Sequence, residues 1–154
     1  MEPTHIDISI EILSQLSPDC EKIIKQINKK IKSSGDNSGS VLNKKLEKNN
    51  FILLLSNIKT KEIVSFIWYG IYFNDNFGDF LHVNFSYTFV KFRNRSYNKL
   101  LRVQLEKIGL DNNIQYITST PFDNSPSKKI LINLGYSNDL NNPDNPKCFY
   151  KKLF

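Results

Sequence analysis

The 154-residue sequence contains little cysteine, with only Cys20 and Cys148. Two cysteines are too few for a disulfide framework, and no cluster of His and Cys accompanies them in the spacing of a zinc site. The low cysteine content is typical of a reducing compartment. We therefore expect a cytoplasmic protein with no metal site.

Long apolar runs are also missing. The N-terminal segment MEPTHIDISIEIL has neither a basic region nor the continuous apolar core of a secretion signal. No apolar run approaches the ~20 residues that a membrane-spanning helix needs, and no internal repeat is evident. A chain of this length fits a single core, so we expect a soluble protein with one domain covering residues 1–154.

Arginine is scarce, although the chain is basic. The net charge is +6, from 21 Lys and Arg against 15 Asp and Glu, and such an excess favours anionic partners such as nucleic acid, nucleotides or phosphorylated cofactors. The arginines are Arg93, Arg95 and Arg102 only, and the lysines are scattered along the chain. A nucleic-acid-binding domain typically clusters its cations, so that function is the least favoured, and a generic solvated surface remains an alternative.

The most informative segment runs from Phe80 to Gly109. Polar and apolar residues alternate from Leu81 to Phe89, which predicts a half-buried strand with His82, Asn84, Ser86 and Thr88 on one face and Val83, Phe85, Tyr87 and Phe89 on the other. The basic loop KFRNRSYN follows, and then Leu100, Leu101, Leu105 and Ile108 recur at helical spacing. Gly109 is the expected C′ residue of this helix.

A basic loop that leads into a helix N-terminus suits a phosphate, because the first backbone N–H groups of a helix are free and its dipole is positive there. A solvated basic turn between two core elements is the alternative. The strand, loop and helix therefore predict an anion site without naming its ligand.

The chain before this segment predicts two layers. Alternation predicts a strand at His5 to Leu13, and an apolar stripe predicts a helix capped by Ser17, with Pro18 at its first position. Val41 to Lys48 predicts a short, weak helix. The apolar runs Phe51 to Ile58 and Glu62 to Phe73 predict an antiparallel hairpin, and the second run is apolar on both faces, which is typical of a central strand.

The chain after Gly109 predicts a parallel crossover. Ile114 to Thr120 is a short strand, and the order strand, helix, strand implies a parallel neighbour of the strand before the loop. A helix that begins near Asp123 and ends at Gly135 follows, with a strand from Tyr136. Lys147 to Phe154 is expected to return as the closing strand.

The order of elements and two motifs resemble the GNAT superfamily of acyl-CoA-dependent N-acyltransferases. The first motif is the pyrophosphate loop of that family, Arg/Gln-x-x-Gly-x-Gly/Ala after the fourth strand, which falls on Arg93 to Asn98. The second is Asn-x-x-Ala…Leu-Gly-Phe across the last helix, which falls on Asn124 to Ser127 and Leu134 to Tyr136. The resemblance is clearest from Glu62 to Phe154.

The resemblance implies an α/β (α+β) fold: a GNAT-like mixed, mostly antiparallel sheet of six to seven strands with about four helices on both faces, splayed between strands 4 and 5. It also implies a function, the transfer of an acetyl group from acetyl-CoA, a cosubstrate, to a primary amine by direct attack. The partners would be acetyl-CoA and an amine acceptor, either a small molecule or a protein amine, with no membrane. The protein would be a monomer or a homodimer.

The resemblance also implies a set of site residues. A bulge near Ser86, Tyr87 and Thr88 would free a backbone N–H that polarises the thioester carbonyl. The residues expected to bind acetyl-CoA are Tyr87, Thr88, Phe89, Arg93, Asn94, Arg95, Ser96, Tyr97, Asn98 and Asn124. His82 is the candidate catalytic base, because a His near its ordinary pKa of ~6.5 accepts a proton at neutral pH. A strand His that only bonds a neighbour is the alternative role.

Three positions depart from the family pattern. Ser96 and Asn98 stand where the loop has glycines, and Leu131 stands where many members place the Tyr that protonates the departing thiolate. A degenerate GNAT-like protein that binds acyl-CoA without turnover is therefore the second function that the sequence supports.

Overall fold

The structure, a computed structural model, describes residues 6–34, 42, 45–76, 78–121, 126–138 and 148–154. The strands are Ile8–Leu13 (β1), Asn50–Asn57 (β2), Ile63–Asn74 (β3), Gly78–Thr88 (β4), Tyr116–Ser119 (β5), Ser137–Asn138 (β6) and Phe149–Lys152 (β7). The α-helices in these ranges are Cys20–Ser33 (α1), Tyr97–Asp111 (α2) and Pro126–Asn133 (α3).

All seven strands form one sheet in the order β1-β2-β3-β4-β5-β7-β6. Only β4 and β5 pair in parallel, and every other neighbouring pair is antiparallel. The predicted mixed, mostly antiparallel sheet and its parallel crossover are confirmed. The described residues contain three α-helices where about four were expected.

The apolar patterns of the sequence form the core. β3 lies between β2 and β4, and Val64, Phe66 and Ile67 are fully buried, as expected for a central strand that is apolar on both faces. The stripe of α1 is buried through Cys20, Ile24, Ile27 and Ile31. Together with the apolar face of β4, these residues belong to one continuous cluster.

Helix α1 begins later than predicted. Its N-cap is Asp19, whereas Ser17 and Pro18 lie in the preceding turn, where Cys20 N–H donates to Ser17 O at 3.1 Å. The Ser17 hydroxyl accepts from Ser14 N–H at 3.0 Å. Because that hydroxyl bonds backwards along the chain, it does not cap the helix, and the predicted cap was wrong.

The helix predicted at Val41 to Lys48 is also not observed. Val41, Asn43 and Lys44 lie outside the described residues, and neither Leu42 nor residues 45–48 are helical. The reason is visible at Leu42, which is buried. Its N–H donates to Asn28 Oδ1 at 3.0 Å, and its carbonyl, which in a helix would accept from residue 46, accepts from Asn28 Nδ2 at 3.1 Å instead.

Gly109 does not end its helix. Helix α2 continues to Asp111, and Gly109 is buried in its last turn. A Cβ at Gly109 would lie 2.7 Å from Leu153 Cδ1 and 3.8 Å from Ile117 Cδ1. The glycine therefore permits close packing of α2 on the sheet, and the left-handed residue beyond the helix is Asn113, at φ 59°.

The sheet opens halfway along β4. Phe80 to Val83 pair with Tyr116 to Ser119 of β5, whereas residues 84–88 keep only their β3 neighbours. This confirms the splay between strands 4 and 5. The bulge lies earlier than predicted: Val83 faces Tyr69 and Phe85 faces Trp68, so Asn84 is the extra residue on β4. The bulge increases local twist, which moves the rest of β4 away from β5.

Candidate functional site

A cavity of about 750 Å³ lies beside the unpaired half of β4, and we call it the wedge cavity. It is within the range of ligand-binding pockets. Its walls come from the end of β4, the loop after it, the first turn of α2 and one side of α3. Its lining consists of Phe85, Ser86, Tyr87, Thr88, Phe92, Arg93, Asn94, Ser96, Tyr97, Asn98, Lys99, Pro126, Ser127, Lys129, Ile130 and Asn133.

The first turn of α2 has backbone N–H groups without a side-chain cap. The N-cap residue Ser96 makes no side-chain capping hydrogen bond, so the first backbone N–H groups are left for another acceptor. Ser96 adopts the left-handed conformation, at φ 63°, and Asn94 does so at φ 64°. Ser96 therefore keeps the backbone shape that glycine would give, at a cost of about 1 kcal/mol. Asn98, at the second glycine position, lies within the helix.

The wedge cavity is positively charged. Arg93, Lys99 and Lys129 line it, and no Asp or Glu is found among its described lining residues. Phosphate groups are suited to such a wall, because each oxygen accepts hydrogen bonds from cations and backbone N–H groups.

Seven of the predicted acyl-CoA-binding residues are brought together in this wall: Tyr87, Thr88, Arg93, Asn94, Ser96, Tyr97 and Asn98. Arg93 donates from Nε to Thr88 O at 2.8 Å, and its guanidinium lies 5.3 Å from the centroid of the Tyr87 ring. Arg93 therefore ties the loop to the end of β4 as well as lining the cavity.

Three predicted residues lie elsewhere. Phe89 is buried in the core, where Lys30 Nζ lies 4.3 Å from its ring centroid. Arg95 is exposed and does not line the wedge cavity. Asn124 lies outside the described residues.

The contribution of α3 to the cavity wall was not predicted from the sequence, and neither was that of Lys99. Lys129, Ile130 and Asn133 recur at i, i+1 and i+4, which places them on one side of the helix. That spacing was visible, but it does not show which side of a short helix faces a ligand. Leu131, on the opposite side, is fully buried.

A second, smaller cavity of about 360 Å³ is lined in part by the bulge residue Asn84, and we call it the amide pocket. Its lining consists of Lys45, Leu46, Glu47, Asn50, Trp68, Tyr72 and Asn84. Asn50 Oδ1 accepts from Trp68 Nε1 at 2.8 Å and from Asn84 Nδ2 at 3.2 Å. The bulge residue Asn84 is thus held in the amide pocket, while its neighbour Phe85 lines the wedge cavity.

His82 lies in the paired half of β4. Its Nδ1 is 2.7 Å from Thr118 Oγ1, and its ring centroid is 6.5 Å from that of Tyr72, a residue of the amide pocket. Burial lowers the pKa of His82 below its ordinary value of 6.5. His82 itself lines neither cavity.

Two negative findings hold for the part of the chain that is described. No group of three or more His, Cys, Asp or Glu residues is placed to hold a metal ion there. None of the described helices combines the length and the apolar character needed to cross a membrane.

Comparison with known proteins finds similarity in structure only. No protein-family model matches the chain, and no curated protein matches its sequence. Solved structures do match. Gcn5 from Tetrahymena has a TM-score of 0.71 at 10% identity, over 95% of this chain and 96% of that one.

Two bacterial proteins match in the same way. A GNAT-family acetyltransferase from Staphylococcus aureus has a TM-score of 0.64 at 17% identity, over 95% of this chain and 100% of that one. A GNAT-family N-acetyltransferase from Escherichia coli, solved in complex with CoA, has a TM-score of 0.65 at 7% identity, over 100% of this chain and 86% of that one. The chain therefore has the fold of the GNAT superfamily of N-acetyltransferases.

Proposed function

We propose that this protein is an N-acetyltransferase that moves an acetyl group from acetyl-CoA to a primary amine by direct attack. One observation carries the proposal: a cationic cavity lies at the opening of the sheet, and a second pocket, lined by aromatic and amide side chains with one Lys and one Glu, includes the bulge residue next to it on β4. Two cavities lined by neighbouring residues of one strand suit a reaction in which a donor and an acceptor are bound separately. The fold supports the same reaction class.

The phosphates of acetyl-CoA would bind at the first turn of α2. There the N–H groups beyond Ser96 and the side chains of Lys99 and Lys129 offer donors and positive charge. The thiol arm would run along residues 84–88, whose backbone lacks a β5 neighbour. An amide-containing arm in that opening would find the backbone partners that the splay leaves unused.

The amine would approach from the amide pocket. Its nitrogen lone pair attacks the thioester carbonyl carbon, a C–N bond forms, the C–S bond breaks, and the thiolate leaves. The attacking nitrogen then loses one proton, which a base accepts, and the thiolate is protonated by solvent. Trp68, Tyr72 and Asn84 give this pocket aromatic faces and amide groups, which suit the positioning of an amine.

We propose His82 as the base. Burial lowers its pKa, so the imidazole is neutral at neutral pH and available to accept a proton. Because His82 does not line the amide pocket, a water molecule or Tyr72 would relay the proton between the amine and the ring. The alternative, a structural His that only bonds Thr118, predicts no effect of its removal on turnover.

Binding without turnover is the second candidate function. Leu131, at the position of the proton-donating Tyr, is fully buried and offers no proton. A binder would retain the wedge cavity and lack chemistry at the amide pocket. The oligomeric state stays a prediction of monomer or homodimer.

Calorimetric titration with CoA and acetyl-CoA tests the donor site, and a free-thiol release assay over a panel of amines then tests turnover. We expect both nucleotides to bind and at least one amine to release thiol faster than the amine-free control. Binding with no release for any amine would favour the second candidate. Failure of both nucleotides to bind, with salt-sensitive RNA or DNA binding instead, would overturn the proposal.

A further inference from the structure

Arg102 is the largest fully buried side chain among the described residues, with 2% exposure. Its side chain extends from α2 to the point where β4 and β5 separate. There its Nη2 donates to Ser86 Oγ at 3.1 Å and its Nη1 to Ser119 Oγ at 3.5 Å. Its Nε donates to Asn98 Oδ1 at 2.9 Å. The guanidinium therefore bridges β4, the end of β5 and the first turn of its own helix.

The buried charge is not neutralised. Among the described residues, no carboxylate lies within ion-pair distance of Arg102, and all three of its partners are neutral oxygens. Burial lowers the pKa of Arg102, and the neighbouring Tyr136 hydroxyl opposes that shift, but a guanidinium stays protonated in proteins. An uncompensated buried cation is costly, so a gain in function is the better explanation for its presence than stability.

Arg102 determines which way two cavity residues present their hydrogen atoms. A guanidinium only donates, so the Ser86 oxygen accepts from it and the Ser86 hydroxyl hydrogen must point elsewhere. For the same reason the Asn98 side chain turns its oxygen to Arg102 and its NH₂ group away. No other partner of the Ser86 hydroxyl or the Asn98 NH₂ group is found among the described residues, and both residues line the wedge cavity.

We propose that Arg102 is a positioning residue that fixes Ser86 as a hydrogen-bond donor to the thioester carbonyl oxygen of the bound acyl donor. The Asn98 NH₂ group, fixed by the same guanidinium, is a second donor toward the ligand. This inference rests on the proposed function, because it concerns the donor that the wedge cavity would hold. This role was not predicted from the sequence, where Arg102 was noted only as one of three arginines.

The chemistry needs such a donor. When the amine attacks, the carbonyl π electrons move onto oxygen, and the oxygen bears a negative charge until the C–S bond breaks and the carbonyl reforms. A hydroxyl held in place by a neighbouring cation stabilises that charge without transferring its proton. Ser86 is suited to this because it lies in the half of β4 that has no β5 partner. It follows Phe85, which pairs with Trp68 next to the bulge.

Infrared spectroscopy of bound acetyl-CoA carrying a ¹³C carbonyl tests the inference directly, with or without turnover. A hydrogen bond lowers the carbonyl stretching frequency, so wild-type protein should show a lower frequency than Ser86→Ala and Arg102→Gln. Ser119→Ala is the matched control, because it removes a hydroxyl that contacts the same guanidinium outside the cavity. Its carbonyl frequency should match that of wild type.

Kinetics separate positioning from a structural role. We expect Ser86→Ala and Arg102→Gln each to lower kcat about 100-fold, and the loss in the double variant to be far smaller than the product of the two single losses, because both changes remove the Ser86 donor and only Arg102→Gln also releases Asn98. CoA affinity, which does not involve the acetyl carbonyl, should change less than kcat. Thermal unfolding would show whether Arg102→Gln is folded, and Ser86→Ala tests the donor even if it is not.

The outcomes distinguish this inference from the proposed function. If acetyl-CoA binds both proteins and its carbonyl frequency is the same in wild type and in Ser86→Ala, the inference is overturned. The proposed binding site for the acyl donor is not affected by that result. Additive losses in the double variant would overturn the role of Arg102 in positioning Ser86. If acetyl-CoA does not bind wild type at all, the proposed function fails, and the inference fails with it.

Discussion

The two halves of β4 have the same alternating sequence pattern and different surroundings. In the first half, Phe80 to Val83 are paired with strands on both sides, whereas residues 84–88 are paired on one side only. Polar residues of the first half find partners within the sheet, as His82 does at Thr118. In the second half, the Ser86 hydroxyl accepts from Arg102 of α2 and the Thr88 carbonyl accepts from Arg93 of the loop, and both residues line the wedge cavity, although the Thr88 hydroxyl also bonds Ser65 of β3.

The difference shows that the candidate site lies where β4 loses its β5 partner, and not where the residue types of the strand change. The bulge at Asn84 ends the regular register, and the cavities lie on either side of that point. Changes in the paired half should therefore act on stability, and changes in the open half on binding and turnover. The predictions below test that division, from the largest expected effect to the smallest.

Removing a core side chain from the paired half should unfold the protein most readily. Leu81 is fully buried between Ile71 of β3 and Ile117 of β5. We expect Leu81→Ala to lower the free energy of unfolding by about 3 kcal/mol, because a cavity is left in a packed core. Urea denaturation measures it, and Leu110→Ala, at an exposed site on α2, should change stability by less than about 0.5 kcal/mol. Equal losses in the two variants would contradict the assignment of Leu81 to the core.

His82 is the one residue of the paired half to which we assign catalysis, so it tests the division most severely. We expect His82→Ala to lower kcat about 100-fold at neutral pH, with acetyl-CoA affinity unchanged. Since burial lowers the His82 pKa, wild-type activity should fall as pH drops through a value below the ordinary 6.5 of histidine. The measurement is a pH profile of kcat/KM for both proteins.

The variant should lose that acidic limb. Turnover that is unchanged in His82→Ala, with the limb retained, would leave His82 a purely structural residue. The paired half would then serve stability alone, and the division would become sharper.

The cations of the open half should govern donor affinity. We expect Lys99→Gln with Lys129→Gln to weaken CoA binding about 10-fold or more, because two cations near the phosphates are lost. Calorimetry at two salt concentrations measures this. The matched control is Lys107→Gln with Lys128→Gln, which removes the same charge from α2 and α3 outside the cavity lining. Equal weakening by the control pair would point to net charge rather than to a site.

Ser96 should be the position at which glycine is tolerated best. Because Ser96 has a left-handed backbone, at φ 63°, Ser96→Gly should stabilise the protein by up to about 1 kcal/mol or be neutral. Lys107→Gly is the control: Lys107 is an exposed residue inside α2, so glycine there should cost about 1 kcal/mol. Thermal denaturation compares the two. Destabilisation by Ser96→Gly would show that its side chain, and not its backbone, shapes the loop.

Local patterns in the sequence were enough to determine the fold. The predicted faces of β4 do not hold across the bulge, because His82 pairs with Gly70 and Ser86 with Ile67, which puts these two side chains on opposite faces of the sheet. Alternation did predict the strand β4 itself, and the run from Glu62 predicted the central strand. Such features depend on neighbours along the chain, and the periods of strand and helix show them directly. Local patterns were also the source of errors, because Gly109 and Ser17 have the residue types of a helix end and a cap.

Only the tertiary structure decided the rest, because those features depend on residues far apart in the chain. Gly109 was expected to end its helix, but it lies within α2, where Leu153 packs closely against it. Asn28 of α1 makes hydrogen bonds to the backbone of Leu42. The wall of α3, the lining of the two cavities by the neighbouring residues Asn84 and Phe85, and the contact of Arg102 with Ser86 and Ser119 likewise join separate elements. A buried arginine on a helix carries no local signal of its partners, since these are brought to it only by the folded sheet.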